Sequence, residues 1–271
     1  MAIKDQPLAL NSGIGLAGFF VVNFWGYKDL VFSECKDEII NSIIKPNEYT
    51  VLHCCLAFFQ DIVHSLRQER RNTDDLSSFF DRVVRIAHEV NLEVELPKPK
   101  FDECNDTSGH FDCECFDTII DWVGLIEEKS VQINNMIVHS AFHIIFQSRG
   151  FLREFHLELA KFIESNIDEI KQRHPDFVTQ SDRIKRKYFP EWLKKAVYHR
   201  DKGTCTFCRC DLTHLVRIQN TKHIDHIVPL ALFGSNDASN FQLLCEKCNT
   251  SKGARSTETS TVEVPYWNLP V

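Results

Sequence analysis

The sequence lacks an apolar stretch long enough to cross a bilayer; its apolar run at residues 14–22 is too short. A secretory leader pattern is also missing, because Lys4 is followed at once by Asp5 and the apolar run starts too far in. There is no glycine-rich phosphate loop and no serine nucleophile elbow, which sets aside P-loop nucleotide chemistry and the serine hydrolases. No internal repeat is present. Cysteine is plentiful at eleven, yet most are irregularly spaced, which argues against a secreted disulfide scaffold. A reducing, cytoplasmic setting is expected, with no membrane partner.

With 271 residues and 43% hydrophobic content, the chain can bury one large core or two modest ones. Two domains are expected: a mainly helical, acidic domain over residues 1–180 and a smaller domain over 181–271. Charge supports the division. Residues 182–271 carry a net +5, whereas residues 1–181 carry −12 of the chain's total of −7. A basic end suits a polyanion, and an acidic body repels one.

The first part reads as a helical bundle. Apolar periodicity predicts helices over residues 49–70, 74–91, 117–128, 131–146 and 151–173, the first with Leu52, Leu56, Phe59, Val63 and Leu66 on one face. The opening stretch, with Gly13, Gly15, Gly18 and an aromatic run to Tyr27, is read as a buried strand or an irregular packed segment. Residues 183–187 form a basic cluster beside the boundary, and residues 190–200 read as a helix leading into the second part.

That second part concentrates the chemistry. A Cys-x-x-Cys pair, Cys205 and Cys208, is answered by Cys245 and Cys248. Four thiolates close a tetrahedral Zn²⁺ site with no open position, the pattern of a structural metal. Cys210 is read as a free thiol or a neighbour of that site. Between the pairs, Asp225 and His226 end a strand-like run over residues 216–227, stopped by Pro229. Neighbouring residues of a strand point to opposite sides. A carboxylate suits a hard Mg²⁺-type ion, and a neutral imidazole suits proton abstraction near neutral pH. After a turn-rich loop, Asn240 opens a second apolar run, and the second cysteine pair starts a helix carrying Asn249. An amide oxygen there would complete the ion's shell opposite Asp225. Lys222, His223, Lys252 and Arg255 are the candidate nucleic-acid contacts; Lys252 and Arg255, if helical, share a side with Asn249.

The order strand, loop, strand, helix, with Asp-His, Asn and Asn at these places, resembles the HNH endonucleases, a branch of the ββα-metal nucleases. The resemblance covers about the last third of the chain. It implies an α+β chain, a helical N-terminal domain followed by a ββα-metal nuclease domain stapled by zinc. It further implies that His226 is the general base and that Asn240 ties down the loop behind it. Asp225 and Asn249 would then hold a catalytic Mg²⁺ or Mn²⁺. DNA is the implied substrate, with 5′-phosphate and 3′-hydroxyl products. One such centre cuts one strand, so a monomer is expected to nick. The size and the unrelated helical partner domain resemble components of bacterial anti-phage defence or restriction. The alternative is a non-catalytic, zinc-dependent module that binds nucleic acid or protein.

Two further groups stand out in the helical part. Cys104, His110, Cys113 and Cys115 have the composition of a soft-metal site in a turn-rich loop, against the reading of a surface loop with free thiols. His139 and His143, one helical turn apart, could share a metal with His156, although helix histidines are common. The acidic part is expected to restrain or direct the nuclease, or to bind a protein partner.

Overall fold

The opening stretch, expected as a buried strand or an irregular packed segment, is a helix, α1 (Leu10–Glu34), in the computed structural model, which describes residues 8–106, 109–213 and 221–261. Its buried side chains, Leu16, Ala17, Phe20, Phe24, Val31 and Phe32, share one helical stripe, at spacings of three, four and seven residues with two adjacent pairs, while Val22, Tyr27 and Leu30 are exposed. Burial of one stripe therefore overrides the weak propensity of its glycines.

The helices that follow are α2 (Lys36–Ile43), α3 (Val51–Phe59), α4 (Ile62–Asn72), α5 (Leu76–Glu89), α6 (Glu114–Glu128), α7 (Ser130–Phe146), α8 (Arg149–Ser165) and α9 (Ile167–Arg173). The single helix expected over residues 49–70 is two. Asp61 stops the first and caps the second by accepting the amide of His64. The helix expected over 151–173 likewise breaks at Asn166.

The chain forms two compact units, Met1–Asn23 with Leu56–Ile144, and Phe24–Cys55 with Ile145–Val271. In the first, α5 buries Leu76, Phe79, Phe80, Val83, Ile86 and Ala87 on one face. Phe80 meets Trp122 of α6 edge-on at 5.3 Å, and the Trp122 indole donates to the carbonyl of Pro97 at 2.7 Å. Burying each such large side chain contributes ~1.5–3 kcal/mol.

In the second unit, Phe24 and Phe155 meet with tilted rings at 5.3 Å and Phe32 meets Phe162 at 5.5 Å. The same unit contains α10 (Glu191–Arg200), strands β1 (Lys222–His226) and β2 (Phe241–Cys245), and α11 (Glu246–Lys252). The expected strand began at residue 216; residues 214–220 lie outside the described residues. The strands are antiparallel, pairing Asp225 with Gln242 and His226 with Phe241. Two strands alone are marginal in water. Here β2 is buried at every position, in one cluster with Leu193 and Val197 of α10, Cys205 and Leu212. The chain is thus mostly helical, with a small two-stranded sheet near its C-terminus. Among the described residues no helix is long and apolar enough to cross a membrane.

Candidate functional site

The register of the hairpin separates the two chemical groups at the end of β1. His226 points inward and is 1% exposed, whereas Asp225 is half-buried on the other face. The His226 ring packs against two aromatic rings that also touch each other, 4.6 Å from Phe241 and 5.8 Å from Phe189. Its Nε2 stands 3.4 Å from the side-chain oxygen of Asn236, and its buried Nδ1 has no hydrogen-bond partner. Burial, then the positive charge of Arg186, pushes the imidazole down to about 3; Lys252 adds to the shift and the Asn236 contact opposes it. The ring is therefore held neutral at physiological pH, and the same shift weakens it as a base.

Asn240 is wholly buried and spends its amide on the loop between the strands. Its Nδ2 donates to the carbonyls of Val228 and Ser235, both at 3.0 Å, and its Oδ1 accepts the Val228 amide at 2.9 Å. It closes the loop without reaching solvent. Asn236 and Asp237, in the same loop, reach residues far away in sequence. Asn236 Nδ2 donates to the carbonyls of Ile44 and Lys185, and Asp237 accepts the Val51 amide at 2.7 Å. Burial raises the Asp237 carboxyl, which also accepts from Ser239. Ser239 in turn meets His156 Nε2 at 2.9 Å. His156 therefore serves this loop, and burial pushes it down to about 3.

Asp225 already holds a cation. Lys252, the last residue of α11 and buried, places Nζ 2.9 Å from Asp225 Oδ2 and donates to the carbonyl of His226 at 2.8 Å. Gln242 approaches the same oxygen at 3.4 Å. Asn249 is half-buried on α11, which packs on both strands. Arg255 is exposed and lies in a turn beyond the helix, which ends at Gly253 with φ of +57°, so it does not continue the helical side of Asn249. Lys222 is exposed, and His223 is half-buried with an unpartnered Nε2.

Five sulfurs gather behind the hairpin. Cys205, Cys208, Cys210 and Cys245 place Sγ within 4.8 Å of one another. Cys208 and Cys245 are 3.7 Å apart, and Cys248 faces Cys245, Cys208 and Cys205. Burial, then the neighbouring sulfurs, pushes the thiols of Cys210 and Cys248 well up. The backbone shapes the first turn: the Cys205 amide donates to Cys210 and that of Arg209, at φ of +61°, to Cys205. This cluster can hold zinc.

Sequence reasoning missed three contributors. Asn236 reads as a turn residue, and Gln242 as an ordinary strand residue. Asp201 gave no local cue: it accepts from Arg149 and Arg200 and from the amide of Leu243, pinning α10 to β2.

The family model of the HNH endonucleases matches residues 205–255, and the region before it matches no family. No curated protein and no solved structure matches the chain. The matched stretch begins at the first cysteine of the sulfur cluster and takes in both strands and α11. Residues 205–255 are an HNH endonuclease domain, a nuclease-type module with a cysteine cluster able to hold zinc.

Proposed function

We propose that the protein is a metal-dependent endonuclease that hydrolyses phosphodiester bonds of double-stranded DNA and nicks one strand at a time as a monomer. One arrangement supports this most: a neutral imidazole whose buried Nδ1 has no hydrogen-bond partner, adjacent in the chain to a carboxylate that holds a cation. On this reading His226 takes a proton from water at Nδ1 while Asn236 steadies Nε2; the hydroxide attacks phosphorus in line, the bond from phosphorus to the 3′ oxygen breaks, and that oxygen leaves taking a proton from solvent. Asn240 positions the loop that carries these groups. Asp225 and Asn249 would hold Mg²⁺ or Mn²⁺. Their donors are hard oxygens, and the Lys252 ammonium on Asp225 marks a place suited to positive charge. When bound, such an ion supplies Lewis-acid stabilisation of charge on the phosphoryl and leaving oxygens. Lys252 would exchange Asp225 for phosphate, with Lys222, His223 and Arg255 as further backbone contacts.

Zinc belongs to the sulfur cluster, where Cys205, Cys208 and Cys245 are common to both candidate quartets and Cys248 supplies the fourth ligand by its knuckle spacing. The acidic residues of 1–180 restrain or direct the module in 181–271 or bind a protein partner. A cytoplasmic role in anti-phage defence or restriction fits this organisation by analogy alone.

The test is nicking of supercoiled plasmid by the full chain with Mg²⁺ or Mn²⁺, with and without EDTA. His226→Ala should lose at least ~10²-fold of the activity, while zinc content and DNA binding persist. Undiminished nicking by that variant would sink the assignment. A second reading, a zinc-dependent binding module, is favoured by the deep burial of His226 and by Lys252 on Asp225. It predicts no nicking by the unaltered chain with either ion.

A further inference from the structure

The connection from α5 to α6 has no core of its own. Between Val90 and Cys115 none of the described residues is buried. The connection is held by one 3₁₀ turn at Phe101–Glu103, the contact of Phe101 with Phe80 at 6.2 Å and the Trp122 hydrogen bond to Pro97, and ordering a connection of this length is costly. Yet this one brings four soft ligands together. The Sγ atoms of Cys104, Cys113 and Cys115 and a ring nitrogen of His110 lie within 4.8 Å of one another.

Three independent features build the cluster. First, the chain reverses through two consecutive residues with positive φ, Gly109 at +98° and His110 at +64°. A side chain at Gly109 would stand 2.8 Å from the carbonyl oxygen of Asp74, so only glycine fits. His110 adopts a conformation that few L-residues favour, and this places its Nδ1 3.8 Å from Cys113 Sγ, with the ring against Phe101 at 4.9 Å. Second, Cys113 is the N-cap residue of α6 and Cys115 lies in the first turn of that helix, so the start of one rigid element carries two of the four ligands. Third, the amide of Asp106 approaches Cys104 Sγ at 3.5 Å. Amides turned toward sulfur are the outer contacts that orient thiolate ligands. Three thiolates and one imidazole match the donor set of a closed, structural zinc site.

We propose that Cys104, His110, Cys113 and Cys115 hold a zinc ion, separate from that of the nuclease module, which staples the α5–α6 connection. The full chain, purified under reducing conditions and reconstituted with Zn²⁺, should carry two zinc ions by elemental mass spectrometry. The doubly substituted chain Cys113→Ser, Cys115→Ser should carry one, with an unchanged far-ultraviolet circular dichroism spectrum. Because that variant could misfold, the unaltered chain provides a second measurement. Iodoacetamide labelling of Cys104, Cys113 and Cys115, mapped by peptide mass spectrometry, should be at least ~10-fold slower with Zn²⁺ than after chelation, since metal binding removes the free thiolate. Labelling at equal rates with and without zinc overturns the proposal. So does a single zinc ion per reconstituted chain, or a disulfide among these three cysteines in the purified protein.

Discussion

At the residue scale, the site depends on side chains whose partners are backbone groups or one another. Asp225, His226, Asn240 and Asn249 were legible because their residue types and order are unusual, and chemistry limits what they can do. Their surroundings were not. Nothing local in the sequence places the amide of Asn236 near His226 Nε2 or the Lys252 ammonium on Asp225, since these contacts arise from loop closure and helix docking. The sulfur cluster is a similar case. Cysteine spacing points to four ligands, but five sulfurs converge, with Cys210 in the mutually closest set. A four-coordinate ion must leave one out. Cys210→Ser should keep the zinc of the nuclease module and Cys248→Ser should lose it, by elemental analysis; the reverse pattern would assign Cys210 instead. Cys245→Ser should lose it in either case and unfold the module, because structural-zinc binding energy, ~10–16 kcal/mol, is folding energy.

At the element scale, periodicity located most helices of the first 180 residues, and it failed where capping and packing compete with it. Asp61 looks like one more polar position within a long amphipathic pattern. With Asn134 accepting from both the Gln60 side chain and the Ile62 amide, it instead becomes a break and a new start. The glycines of α1 show the opposite failure. They suggested irregular structure, yet a helix tolerates them where one face is buried. Their roles differ, which makes a paired prediction. A Cβ at Gly13 would stand 2.5 Å from Cβ of Ser140, whereas one at Gly18 meets nothing within 4 Å. Gly18→Ala should raise the melting temperature through about 1 kcal/mol of helix propensity, and Gly13→Ala should lower it. Equal shifts of the same sign in thermal melts would contradict this account of α1.

At the scale of the whole molecule, residues 181–261 do not supply all their own partners. Asn236 and Asp237 bond to the backbone at Ile43, Ile44 and Val51, Ser239 meets His156, and buried Asp201 pairs with Arg149. All of these residues belong to one compact unit. A fragment of residues 181–271 loses each of these bonds, and every buried polar group left unpaired costs ~1–3 kcal/mol. That fragment, even loaded with zinc, should lack a cooperative thermal transition by circular dichroism; a sharp one would show that the module folds alone. The expectation of an acidic part and a basic part came from charge, which records composition and not contact. Sequence by itself determined the family of residues 205–255 and the sulfur-rich cluster, because those depend on residue type and short spacing. Only the tertiary structure decided that helices far upstream complete the loop behind His226, because burying that loop's polar groups requires partners that no nearby stretch of chain provides.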